Sequence, residues 1–320
     1  DDLALMCDLS DALASLSQSA GGLGTPNTGE PALAETLMAR ALDLASRAVE
    51  RAPDSARALS SLERAVSGAA NMPSGVPRRG ELYAQSVELL RRIYELNGRR
   101  PDDESRLAYR LQAYGLFIGD MEVLGEAVGR FEHVLSLSPE DWERRVAYAS
   151  ALGSLARQRG ETDPGAAAAE AARAAEMLAT AHSENPLNYS CARHMNIARM
   201  VHGRMLARLG RVDEARGSLE EALGSLVANT LDPTNSLHVS DRAITVTNIM
   251  DSVATALDVP GVAPEERRAL LDLGLRAHAA IRLSPEVGTT EGTANLRAPL
   301  EYADGLAATW REEITPSGGT

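Results

Sequence analysis

The stretch from Asn188 to Pro233 reads NYSCARHMNIARMVHGRMLARLGRVDEARGSLEEALGSLVANTLDP. Its first half places Ile197, Met200, Val201, Met205, Leu206 and Leu209 three and four residues apart, on one face of a helix. A short break follows at Gly210-Arg211-Val212-Asp213. The second half repeats the pattern with Ala215, Leu219, Ala222, Leu223 and Leu226. Two helices joined by so short a break lie antiparallel and bury those faces on each other. Gly203, Ala215 and Ala222 fall within the contact lines, where small residues let the helix axes approach to about 8–10 Å.

The pattern recurs. Phe131 has Ala127 four before it, Gly115 sixteen before it, Val134 three after it and Pro139 eight after it. A further unit has Leu152, Gly153 and Ala156 in its first helix, then Ala174, Leu178 and Ala181, and ends at Pro186. Helix-ending prolines at Pro53, Pro101, Pro139, Pro186, Pro233 and Pro285 recur at intervals of roughly 40 to 50 residues. These intervals resemble a tetratricopeptide repeat (TPR), with Gly203, Leu206, Ala215, Leu219 and Ala222 at its small and bulky positions. Arg199 stands where that family often has Trp, and Pro233 is displaced by six residues. The long period looks similar to repeats appended to some bacterial Ser/Thr protein kinases and signalling proteins. The resemblance implies an all-α fold of about six antiparallel hairpins, stacked in a right-handed superhelix and closed by a C-terminal helix. The hairpins fall at about 2–53, 54–101, 102–139, 140–186, 187–233 and 234–285, the capping helix at 290–313, and a disordered tail at 314–320.

Composition agrees with helices. The chain has 320 residues and 44% hydrophobic content but only 3% aromatics, so Ala and Leu carry the packing. No stretch alternates as a strand does. A solenoid spends its length on hairpins that touch only their neighbours, which predicts one continuous domain. The 32 basic residues are all arginine, which excludes any P-loop or Schiff-base lysine. A net charge of −13 argues against nucleic acid as a partner. Cys7 and Cys191 form no CxxC pair and read as buried small residues in a reducing compartment. There is no signal-peptide pattern and no apolar run able to span a membrane, and the expected location is cytoplasmic. The chain opens at Asp1 inside a helical pattern, which reads as a domain cut from a longer chain.

Loops are expected at Gly21–Pro31 and Asn71–Gly80 from their Gly, Pro and Asn content. Asp102/Asp103 and Glu265/Glu266 sit at helix starts, where negative charge suits the helix dipole, and read as caps rather than an acid/base pair.

The candidate site is a charge reversal. From Asn188 to Val212 there is no acid, but there are Arg193, Arg199, Arg204, Arg208 and Arg211. Arg204 and Arg208 share a face that Ile197 and Met200 extend. In TPR domains the first helix of each hairpin lines a concave groove. The resemblance therefore places Arg193, Ile197, Met200, Arg204 and Arg208 there, with Ser150, Ser154 and Arg157 from the preceding hairpin and Gln112 and Leu116 from the one before. Arginine forks suit carboxylate or phosphate. The bland alternative has these arginines paired with acids of adjacent helices, such as Glu214, Glu220 and Glu221. His194 and His202, eight apart, lack an HExxH pattern, and no GxSxG or GxGxxG signature occurs. No metal, cofactor or catalytic residue is expected.

The sequence thus reads as a protein-interaction scaffold that takes a protein or peptide segment, acidic in character, along its groove. The alternative is a regulatory region of a larger signalling enzyme.

Overall fold

A computed structural model of the chain describes residues 2–21, 28–228, 236–282 and 297–314. Pro233, Pro285, the centre of the first loop and the tail from Thr315 onward lie outside the described residues. Among the described residues are thirteen α-helices and no strand. They are α1 (Leu3–Gly21), α2 (Pro31–Arg51), α3 (Ala56–Ala69), α4 (Arg79–Leu96), α5 (Pro101–Ile118), α6 (Met121–Leu137) and α7 (Trp142–Arg159). There follow α8 (Pro164–Glu184), α9 (Tyr189–Arg208), α10 (Val212–Ala228), α11 (Ser236–Leu257), α12 (Pro264–Arg282) and α13 (Arg297–Ile314). Helices pair in sequence as hairpins from α1/α2 to α11/α12, and α13 packs on both members of the last pair. The architecture is an array of TPR-like helical hairpins.

Local chemistry sets the helix ends. Ser55, Asp120, Asp141, Asp163 and Asn188 each accept a hydrogen bond from a backbone N–H of the first turn they precede. Pro31, Pro101 and Pro164 occupy first turns, where a missing N–H costs nothing. The loop expected over Asn71–Gly80 is tighter than that: Pro73–Arg78 forms a 3-10 turn and α4 begins at Arg79. Asp102 and Asp103 lie in the first turn of α5, at the helix start where the dipole favours their charge, and Arg100 holds the cap position itself. Asp103 is buried, accepts from Asn97 Nδ2 at 2.8 Å, and pairs with Arg106 at 3.4 Å.

The chain divides into two compact units, Asp1–Pro139 and Glu140–Thr320, each described by itself. In the first, alanines 34, 41, 45 and 48 of α2 are fully buried with Met38, Leu59, Leu90, Ile93, Leu107 and Leu111. Four acids are buried here, Asp11, Glu63, Asp103 and Glu104. Glu63 accepts from Ser86 Oγ at 2.7 Å, Arg106 at 3.2 Å and Arg110 at 3.3 Å, which ties α3, α4 and α5 together. Arg110 also lies over the Tyr83 ring at 5.9 Å.

In the second unit, α9 packs against α10 at Gly203 and Leu219 and against α8 through its alanine-rich face. The break after α9 is a Schellman turn. Gly210 has φ 73°, its N–H meets the Ala207 carbonyl at 2.9 Å, and the Arg211 N–H meets that of Leu206 at 2.9 Å. A left-handed residue here favours glycine, which is why so short a break can reverse the chain. Both cysteines are buried and free, and burial pushes the Cys191 thiol up to about 11.

Candidate binding cavity

Three first helices of successive hairpins, α7, α9 and α11, lie side by side in the second unit, with α9 in the middle. A cavity of about 300 Å³ opens between them. From α7 and the residues after it come Arg157 and Glu161; α9 gives Arg193, Ile197, Met200, Val201, Arg204 and Met205. The far wall is Asp241, Ile244, Thr245, Asn248 and Ser252 of α11.

Two ion pairs bridge α9 and α11. Arg193 Nε stands 2.6 Å from Asp241 Oδ2, a charge contact whose N–H is not aimed at the oxygen, and Arg204 stands 3.1 Å from Asp251. The arginines are eleven residues apart and the aspartates ten, about 15–17 Å along a helix in both cases. The matched order means that α9 and α11 run parallel. Each aspartate is also held by a phenol: Tyr189 donates to Asp241 at 3.1 Å, and Tyr302 of α13 donates to Asp251 at 3.1 Å. Burial, and then the aspartate beside it, pushes each phenol above the usual tyrosine range. On the other side, Arg208 donates to the Gly160 carbonyl at 2.7 Å and to Glu161 at 3.1 Å, so α9 also holds the end of α7.

The remaining arginines of α7, of α9 and of the turn after it are committed too. Arg144 pairs with Asp141, Arg145 with Glu184, Arg159 with Glu170, Arg199 with Glu221 and Arg211 with Glu214. Arg157 alone among them has no acid within ion-pair distance among the described residues. Its guanidinium is held below the usual arginine range by the protein packed around it and by the like charge of Arg193. The side chain is nonetheless exposed to solvent. Beneath the wall, His194 Nδ1 lies 3.1 Å from Ser150 Oγ, and Ser154 Oγ donates to the Ser150 carbonyl at 3.0 Å. Burial, with Arg193 next to it, lowers His194 to about 4.

The structure therefore brings together Arg157, Arg193, Ile197, Met200 and Arg204 around one cavity. Ser150 and Ser154 lie behind it in the His194 contact, and Arg208 sits at its edge on Glu161. Gln112 and Leu116 are half-buried on α5 in the first unit. Of the acids suggested as partners, Glu214 and Glu221 do pair with Arg211 and Arg199, whereas Glu220 pairs with Arg216 and Arg276. The α11 wall is absent from the sequence reading. Its signal was the spacing of Asp241 and Asp251, which matches that of Arg193 and Arg204.

Among the described residues no group of three His, Cys, Asp or Glu side chains could hold a metal ion. Nor is any helix among them long and apolar enough to cross a membrane.

No protein-family model and no curated protein sequence matches the chain. Similar solved structures include the human IFIT1 dimer with m7Gppp-AAAA, at 16% identity and a TM-score of 0.24, covering 98% of this chain and 73% of that one. The TPR domain of P58(IPK) is similar at 14% identity and a TM-score of 0.16, covering 97% and 99%. The exclusion of nucleic acid as a partner, drawn from net charge, is corrected here. The α7–α9 wall carries Arg157, Arg193 and Arg204 although the whole chain is acidic. Net charge over 320 residues does not report the charge of one face.

Proposed function

We propose that the face built by α7, α9 and α11 is the recognition surface of a protein-interaction module, and that a partner segment lies across it with one side chain in the cavity. The observation that supports this reading is the cavity itself. Its floor is apolar (Ile197, Met200, Ile244), a bridging ion pair stands near each end, and one arginine is left without an acid. Binding sites combine an apolar interior with a few placed polar groups in this way. The wall is preorganised, because the ion pairs fix α9 against α11 before any partner arrives.

A photo-crosslinking residue at Asn248, inside the cavity, tests the reading. It should capture a defined protein partner that survives nuclease treatment and is lost when Arg157→Glu is added. A nuclease-sensitive product would mean that the face takes nucleic acid instead. Capture unaffected by Arg157→Glu would move recognition to another surface.

A further inference from the structure

We propose that the cavity between α7, α9 and α11 is a site for a small amphiphilic organic anion. Its acid group sits between Arg157 and Arg193, and its apolar body lies over Ile197, Met200 and Ile244. Such a ligand would compete with the partner side chain placed in this cavity above, and titration with small probes alone tests it independently of any partner.

Size comes first. About 300 Å³ is at the lower end of the range for ligand sites, enough for one compact molecule but not for a length of chain. Charge comes next. Around the Arg193 end, two arginines meet one carboxylate, Asp241, and the other nearby acid, Glu161, is engaged by Arg208. One positive charge is therefore left over, in a chain whose net charge is −13. At the other end the balance is even, Arg204 with Asp251. The asymmetry gives a ligand an orientation, acid toward Arg157 and Arg193. An entering carboxylate or phosphate would take charge-assisted hydrogen bonds from these guanidinium groups. Met200 and Met205 supply flexible, polarizable surface that fits apolar bodies of differing shape. Carboxylate and phosphate share this chemistry, and matched probes separate them.

Isothermal titration of the full chain with phenylbutyrate, phenylbutyl phosphate and the uncharged phenylbutanamide tests the assignment. At least one of the two anions should bind about tenfold or more tightly than the amide. Arg157→Met should abolish that preference and leave the amide unchanged. Arg157→Lys should keep part of it, and raised salt should weaken the anion but not the amide. Met200→Trp, which fills the cavity without touching a charge, should remove binding of every probe. Circular dichroism and the melting temperature establish that each variant is folded. The proposal is overturned if the amide binds as well as both anions, if the preference survives Arg157→Met, or if no probe binds saturably.

Discussion

Gly203 of α9 lies so close beneath Leu219 of α10 that a Cβ on it would meet Leu219 Cγ and Cδ2 at 2.8 Å. Both residues belong to the motif that decides the fold, and the approach explains the motif: the helices pack at this distance because one has no side chain there. Gly203→Ala should destabilise the chain by about 1–3 kcal/mol, as overpacking does. Adding Leu219→Ala to Gly203→Ala should cost less than the two single changes summed, because the smaller residue opens room for the new methyl. Gly217 is the control. It sits in α10 with nothing within 4 Å of its added Cβ, so Gly217→Ala should stabilise by up to about 1 kcal/mol through helix propensity. Urea unfolding of the four variants reads all of this, and equal effects at Gly203 and Gly217 would refute the packing account.

The helices were legible because two local rules agree at most of them: apolar residues at three- and four-residue spacing, and a capping residue or proline at the start. Asp120, Asp141, Asp163 and Asn188 could be read as caps directly. The site was only half legible. Arg157, Arg193, Ile197, Met200 and Arg204 share faces of α7 and α9 that helical periodicity gives, and the cavity unites them. Asp241, Ile244, Thr245 and Asn248 were missed because they lie more than thirty residues downstream, on a helix whose facing can be known only once it is packed. Periodicity tells which residues share a face; it does not tell which face of a distant helix meets it. Net charge, averaged over the whole chain, likewise does not report a local run such as the acid-free arginines from Arg193 to Arg211.

Glu63 should matter for the first unit far more than a surface acid. It is nearly fully buried and accepts from Ser86, Arg106 and Arg110. Glu63→Ala removes the acceptor and leaves the half-buried guanidinium of Arg110 without its carboxylate. The expected loss is about 3 kcal/mol. Glu63→Gln keeps one acceptor and should cost less. Replacing exposed Asp43, which pairs with Arg47 one turn away, should change stability by less than about 0.5 kcal/mol. Thermal or denaturant unfolding ranks the three, and a Glu63→Ala variant no worse than the Asp43 one would remove the network from the account.

Trp310 fixes the last helix. It is almost completely buried on α13, and a Cβ on Gly274 of α12 would come within 2.9 Å of three of its ring atoms. Nearby, His278 and Asp304 join the same two helices at 2.7 Å. Trp310→Ala should cost about 3–5 kcal/mol, the range for emptying a buried aromatic site. Its loss should also speed amide exchange along α13 before it affects the helices of the first unit. Uniform exchange throughout would mean that α13 is not a separately anchored end. Gly274→Ala should reproduce the α13 effect from the other side of the contact, since the indole ring has no flexible end to give way.

His194 should set a stability slope in mild acid. In the folded chain it is held to about 4, chiefly by burial and then by the charge of Arg193, against about 6.5 when unfolded. Between those values the unfolded chain binds a proton that the folded one does not, so folding stability falls as pH is lowered from about 6.5 towards 4. By pH of about 4.5 the contribution is about 2–3 kcal/mol. Above about 7 both states are neutral and the effect vanishes. His194→Asn keeps an acceptor for the Ser150 hydroxyl but cannot be protonated, so it should lose less stability than native between pH 7 and 4.5. Carboxylates also titrate in this range, but they are common to both proteins, so the difference between the two curves isolates the imidazole. Urea unfolding at several pH values gives those curves. Parallel curves would mean that His194 is hydrated and titrates normally, and the packing of α9 against α7 around Ser150 would then have to be looser than described.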